Sequence, residues 1–141
     1  MDTLIVAEKL ESLRRCMKRV QDKRADTVDD LRADPDRQDI ISLNLTRAVQ
    51  LCVDLAAHLL TDTQQPAPQT MGEAFDALEA EGIITDALRQ RMRAAVGFRN
   101  VAVHSYQAID WAIVHTITHE GLEDFRAFAK AVASYVDDEG M

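Results

Sequence analysis

The stretch Arg99-Asn100-Val101-Ala102-Val103-His104-Ser105-Tyr106 gathers the side chains whose types and spacing suit chemistry. An arginine stays charged at any physiological pH and presents a planar fork of donors that matches a phosphate. A histidine changes protonation near neutrality, so it can take up a proton and give it back. Together they form a minimal apparatus for phosphoryl transfer without a metal ion or cofactor. The imidazole moves protons, and the guanidinium holds and neutralises the phosphate. RNA supplies its own nucleophile, the 2′-hydroxyl, so none is required of the protein.

The helix that must carry these groups has an inward row Leu88, Met92, Ala95, Arg99, Ala102, Tyr106. Arg99 is therefore in phase with the apolar stripe. Burying a guanidinium unpaired is very costly, so Arg99 either meets an acid inside the fold or lines a polar cleft. At about 100° per residue, His104 lies about 140° from Arg99, whereas Tyr106 is nearly in line with it. Arg99 and His104 share a site only if the helix ends near Val103 or if Arg99 reaches around. Val101, Val103 and the loop-like Ser105-Tyr106-Gln107 favour an ending there.

The charge balance sets a second constraint. With 16 Lys+Arg against 24 Asp+Glu the net charge is −8, which repels phosphate on average. From Ala87 to Ile109, however, there is no acid, and the segment holds Arg89, Arg91, Arg93 and Arg99. Charge alone favours a basic helix surface pairing with acidic neighbours. The functional alternative is a positive strip in which Arg89, Arg91 and Arg93 contact a phosphate-bearing ligand such as RNA.

The elements around this segment read as helices. Leu10, Leu13, Met17, Val20, Arg24, Val28 and Leu31 recur every three or four residues, which predicts a first helix from about Leu4 to Leu31. Only Arg24 interrupts its stripe, and Asp34-Pro35 closes it. A second helix starts at Pro35-Asp36 and runs to about Leu60, apolar over so wide an arc that it should be central and should contact several other helices or a second copy of the chain. The loop Thr61–Gln69 follows. Thr70 with Glu73 reads as a capping box for a short helix that Gly82 stops. Thr85 caps the fourth helix, which reaches about Val103. Asp110 caps a segment from Trp111 to Thr118, and helix returns from Leu122 to Val136 before an acidic tail. The result is an all-α, up-and-down bundle of about five helices, one domain over 1–141.

Other features exclude function classes. A composition 47% hydrophobic with only 5 Gly and 3 Pro argues against a β-rich fold. The uninterrupted apolar runs are a few residues long, so no membrane span is expected, and the N-terminus lacks a signal-peptide pattern. Cys16 and Cys52 stand singly in helical patterns, as in a reduced, cytoplasmic protein. His115 and His119 share a face beside Glu120, but zinc needs three or four ligands and no other falls nearby, so no metal site is expected. His58 reads as a satisfied rim histidine, and Trp111, Phe125 and Phe128 as core anchors.

The Arg-x4-His-x-Tyr pattern at 99–106, with Asn100 directly after the arginine, resembles the motif of HEPN-domain ribonucleases. The two long N-terminal helices, the short helix at 70–80 and the run Ile109-Asp110-Trp111-Ala112-Ile113-Val114 are similar to the HepT-like toxins of prokaryotic toxin–antitoxin pairs. The likeness covers nearly the whole chain. It implies a HEPN-like helical bundle that forms a homodimer and places the Arg/His pairs of two chains in one cleft. It implies metal-independent RNA cleavage with Arg99 and His104 as the catalytic pair and Asn100 as a polar supporter. It also implies a minimal nucleotidyltransferase antitoxin as partner, which transfers AMP onto Tyr106 and silences the nuclease. A bulky anion two residues from His104 would occupy or repel the RNA phosphate.

Two other readings compete. In one the chain is a non-catalytic helical interaction module whose Arg99 braces the core. In the other it is a nucleotide-binding partner of a nucleotidyltransferase that uses the arginine strip.

Overall fold

The helix starts are made by the side chains that capping chemistry calls for. Asp2 accepts from the backbone N–H groups of Leu4 and Ile5, Asp34 from Arg37, Thr70 from Glu73, Thr85 from Leu88 and Asp110 from Ala112. Pro35 sits in the first turn of its helix, where its missing N–H costs nothing. Glu73 completes its end of the cap by accepting from the Gln69 N–H. Gly82 turns the chain with φ 72°, a left-handed conformation that favours glycine.

A computed structural model describes residues 1–139; residues 140 and 141, the end of the domain expected over 1–141, lie outside the described residues. The helices are α1 (Thr3–Lys23), α2 (Val28–Arg32), α3 (Pro35–Leu60), α4 (Met71–Ala80), α5 (Asp86–His104), α6 (Trp111–Thr116) and α7 (Leu122–Glu139). Five of them have ten or more residues, and there is no strand among the described residues. The expected all-α architecture is therefore observed, with α6 at the segment expected after Asp110 and α2 a separate piece of the expected first helix.

α3 is the central element. α1, α2, α4, α5 and α7 all pack on it. Ile41, Leu45, Cys52, Leu55 and Leu59 are fully buried along its inner face, and Phe75 of α4 meets Phe128 of α7 edge-on at 5.6 Å. Each large aliphatic side chain buried this way contributes about 1.5–3 kcal/mol. By length and composition α3 could cross a membrane, but half of its most apolar window is buried inside the bundle. Of the two coverings expected for its wide apolar arc, neighbouring helices of the same chain supply most. Leu43 is its one large apolar side chain left exposed, at 50%.

The first helix is not continuous to Leu31, as its periodicity suggested. It stops at Lys23, and Arg24 adopts an extended conformation. The cause lies at the position that broke the stripe. A charged Arg24 cannot continue an apolar row; its Nη1 instead donates to the Thr118 carbonyl at 3.3 Å. Three carbonyls of the linker that follows the break find side-chain donors. Arg37 Nη1 donates to Arg24 O at 3.0 Å, His119 Nε2 to Ala25 O at 2.8 Å and His115 Nε2 to Asp26 O at 3.2 Å. This gives the histidine pair a structural role: the two rings hold the linker between α1 and α2. The expected segment to Thr118 likewise ends at Thr116, and a wide π-type turn, Ile117–Gly121, joins it to α7.

Candidate functional site

α5 carries the candidate residues on its last turns. It remains helical through His104, one residue beyond the expected end, and the Ser105 N–H still donates to Val101 O at 2.8 Å. The helix therefore does not end early to swing His104 toward Arg99, and the angular gap of about 140° persists. Arg99 closes part of that gap with its own side chain. Its Nη1 donates to Asn100 Oδ1 at 3.2 Å. Asn100 is four residues before His104, so the two lie on one face, about 40° apart. Asn100 thus draws the guanidinium toward the side on which His104 is exposed.

The environment of Arg99 is unusual for a charged group. The residue is half-buried, its Nε is shielded from solvent with no hydrogen-bond partner, and no carboxylate pairs with it among the described residues. The guanidinium is partly dehydrated and still lacks an anion. The acid partner that a purely structural arginine would have is not there.

Tyr106 lies beyond the helix, in the stretch Ser105-Tyr106-Gln107 that its sequence marks as loop-like. Because α5 ends at His104, Tyr106 opens a 3₁₀ turn, Tyr106–Ala108, instead of continuing the Arg99 row. Its ring meets Trp111 edge-on at 5.9 Å, and its hydroxyl donates to Asp39 Oδ1 of α3 at 2.5 Å. The buried Ser42 Oγ stands beside the same phenol, close enough to favour its ionised form, yet in no aligned hydrogen bond. Partial burial and the Asp39 carboxylate push the phenol up to about 12. Sequence reasoning missed Asp39 and Ser42; their i, i+3 spacing on α3 is unremarkable without the fold.

The arginine strip is charge-paired. Arg89 bonds Asp76 at 3.1 Å and Asp86 at 2.7 Å, Arg93 bonds Asp76 at 2.6 Å, and Arg91 bonds Asp124 at 3.3 Å. Asp76 clasps α4 to α5 through both Arg89 and Arg93. Arg93 lies so close over Gly72 that a Cβ there would come within 2.8 Å of Nη1. Pairing with acidic neighbours, the reading that charge alone favoured, is what the geometry shows for these three.

Unpaired cations lie elsewhere. A groove of about 660 Å³ between α1 and α3 is lined by Arg15, Arg19, Asn44, Arg47 and Gln50 among others. Arg19 and Arg47 have no ion pair among the described residues, and Arg15 has only a long 4.0 Å contact with Glu11. The signal for Arg47 was legible: its neighbours at i±3 and i±4 are Leu43, Asn44, Gln50 and Leu51, none acidic. A second, apolar cavity of about 450 Å³ lies among α5, α6 and α7, and neither Arg99 nor His104 lines it. Among the described residues, no three His, Cys, Asp or Glu cluster as metal ligands would.

Comparison with known proteins gives a family and several relatives. A family model described as ribonuclease HepT-like matches residues 8–132. The chain is 34% identical to the mRNA nuclease HepT of Shewanella oneidensis over 128 residues, covering 91% of this chain and 96% of that protein. It is 24% identical over 135 residues to the tRNA nuclease HepT of Aphanizomenon flos-aquae, covering 96% and 92%. Among solved structures, the tri-AMPylated Shewanella oneidensis HEPN toxin in complex with MNT antitoxin superposes with a TM-score of 0.88 at 33% identity, covering 95% of this chain and 99% of that one.

Proposed function

From the premise that the chain belongs to the ribonuclease HepT-like family, we propose that it is the toxin of a prokaryotic toxin–antitoxin pair, a metal-independent ribonuclease that works through Arg99 and His104. The observation that carries this reading is the half-buried Arg99 guanidinium with no carboxylate partner. A dehydrated cation held by a neutral asparagine is attracted strongly to an entering anion. A phosphodiester supplies that anion.

The chemistry follows from the two side chains. His104 takes the proton of the ribose 2′-hydroxyl as that oxygen attacks the phosphorus. The bond to the 5′-oxygen of the next nucleotide breaks, and this oxygen receives a proton as it leaves. Arg99 offsets the extra negative charge on the phosphorus oxygens in the transition state. Two copies of the chain, with Arg99 and His104 of both in one cleft, supply one imidazole for each proton transfer. Leu43, Val101 and Val103 are exposed apolar side chains that a second copy would cover. The RNA backbone then finds Arg19 and Arg47 in the groove between α1 and α3, two cations that no acid holds among the described residues.

The solved relative is AMPylated and bound to an MNT antitoxin. We extend that relationship to this chain: a nucleotidyltransferase antitoxin attaches AMP to Tyr106 and silences it. The enzyme works in the cytoplasm, in keeping with its free, buried Cys16 and Cys52. The test is incubation of the purified chain with total RNA or tRNA in EDTA. Cleavage is expected, and Arg99→Ala or His104→Ala should each lower it by about 100-fold or more. Cleavage that survives both replacements removes these residues from the mechanism.

A further inference from the structure

Tyr106 meets a carboxylate and a serine hydroxyl on the rigid central helix, and this suits it to accept a nucleotide. We propose that Asp39 is the proton acceptor when a nucleotidyl group is transferred onto Tyr106 Oη. The proposal rests on the reading above that Tyr106 is the modified residue. The hydroxyl donates to Asp39 Oδ1 at 2.5 Å, so the proton that transfer must remove already points at a base. Tyr106 is 39% exposed, which leaves it open to a transferase.

Oη attacks the α-phosphorus of a nucleoside triphosphate and forms a new O–P bond. The bond from that phosphorus to the oxygen bridging to the β-phosphate breaks, and pyrophosphate leaves with the electron pair. The phenolic proton passes to Asp39 and from this exposed carboxylate to water. Because the phenol is held near 12, it is not ionised at neutral pH, so its proton has to be lost in the transfer itself. As Oη loses its proton and gains negative charge, the otherwise unpartnered Ser42 Oγ is placed to donate to it.

The experiment uses the full chain, its cognate nucleotidyltransferase and ATP labelled at the α-phosphate. Wild type, Asp39→Asn, Asp39→Glu and Tyr106→Phe are compared. An asparagine still accepts the Tyr106 hydrogen bond but cannot take the proton. Asp39→Asn is therefore expected to lower kcat by about 30-fold or more, with KM for the chain and its melting temperature unchanged. Asp39→Glu should regain part of the rate. Wild-type turnover in Asp39→Asn overturns the proposal. So does a loss that is equal in the Asn and Glu variants and appears as a raised KM, which would make Asp39 a positioning residue only. Label that persists in Tyr106→Phe overturns the choice of acceptor itself, a failure of the underlying reading. Cleavage of RNA by the unlabelled wild type, measured alongside, reports on the ribonuclease independently.

Discussion

Arg99 Nη1 donates to the side-chain carbonyl of its neighbour Asn100 at 3.2 Å, and this bond decides on which side of α5 the guanidinium lies. Asn100 and His104 share a helical face; Arg99 and His104 do not. The asparagine thus brings the arginine toward the histidine on a helix that would otherwise hold them apart.

Two replacements separate site from scaffold. Arg99→Ala removes no ion pair and leaves no buried charge behind, so the cost in stability should be under about 1 kcal/mol. RNA cleavage should still fall by about 100-fold or more. Asn100→Ala leaves the guanidinium in place but free to wander, and a roughly 10-fold loss of rate with unchanged melting is expected. Thermal melts and initial rates check both. A sharp fall in melting temperature for Arg99→Ala would instead make it a core brace.

The cations divide into bound and free sets. Arg93→Ala breaks the clasp with Asp76 and should cost about 0.5–1 kcal/mol of stability, with RNA affinity unchanged. Arg19→Ala and Arg47→Ala break no ion pair, should leave melting unchanged and should weaken RNA binding. Each should also reduce the salt dependence, the slope of log affinity against log salt falling by about 0.7 per cation for single strands. Binding isotherms at several salt concentrations distinguish the two sets.

Tyr106 should titrate late. Its folded value, about 12, lies above the ordinary value near 10. The folded chain therefore holds this proton more tightly than the unfolded chain. The stabilisation is complete below about pH 10 and is lost as pH rises through about 12. The phenolate absorbance of Tyr106, taken as wild type minus Tyr106→Phe, should appear near pH 12, and Asp39→Asn should move it lower. Ionisation near 10 in the wild type would show that the Asp39 contact does not persist in solution.

Local chemistry made much of the fold legible. Thr70, Thr85 and Asp110 start helices where their side chains announce it, and the apolar row of α3 and the Leu88 and Met92 positions of α5 face inward as their spacing required. The misses are relations across the chain. Tyr106 and Asp39 are 67 residues apart, and Arg93 and Asp76 are 17 apart. Helical periodicity places each residue on a face but does not say which face of another helix it meets. The break after Lys23 was signalled by Arg24 in the apolar row. The carbonyl acceptors at Ala25 and Asp26 that make the break tolerable depend on His115 and His119, whose spacing alone resembled half of a metal site. For α3, counting apolar positions overstated what one chain leaves exposed, because five neighbouring helices cover that arc.

The central claim is that a guanidinium and an imidazole cut RNA with the RNA's own 2′-hydroxyl as nucleophile. Its most direct test is the chemistry of the new ends after cleavage of a defined oligonucleotide in EDTA. The expected products carry a 2′,3′-cyclic phosphate and a 5′-hydroxyl, and a 2′-deoxy substitution at the cleaved nucleotide blocks the cut. Products with a 5′-phosphate, or cleavage that appears only when a divalent metal is restored, would contradict it.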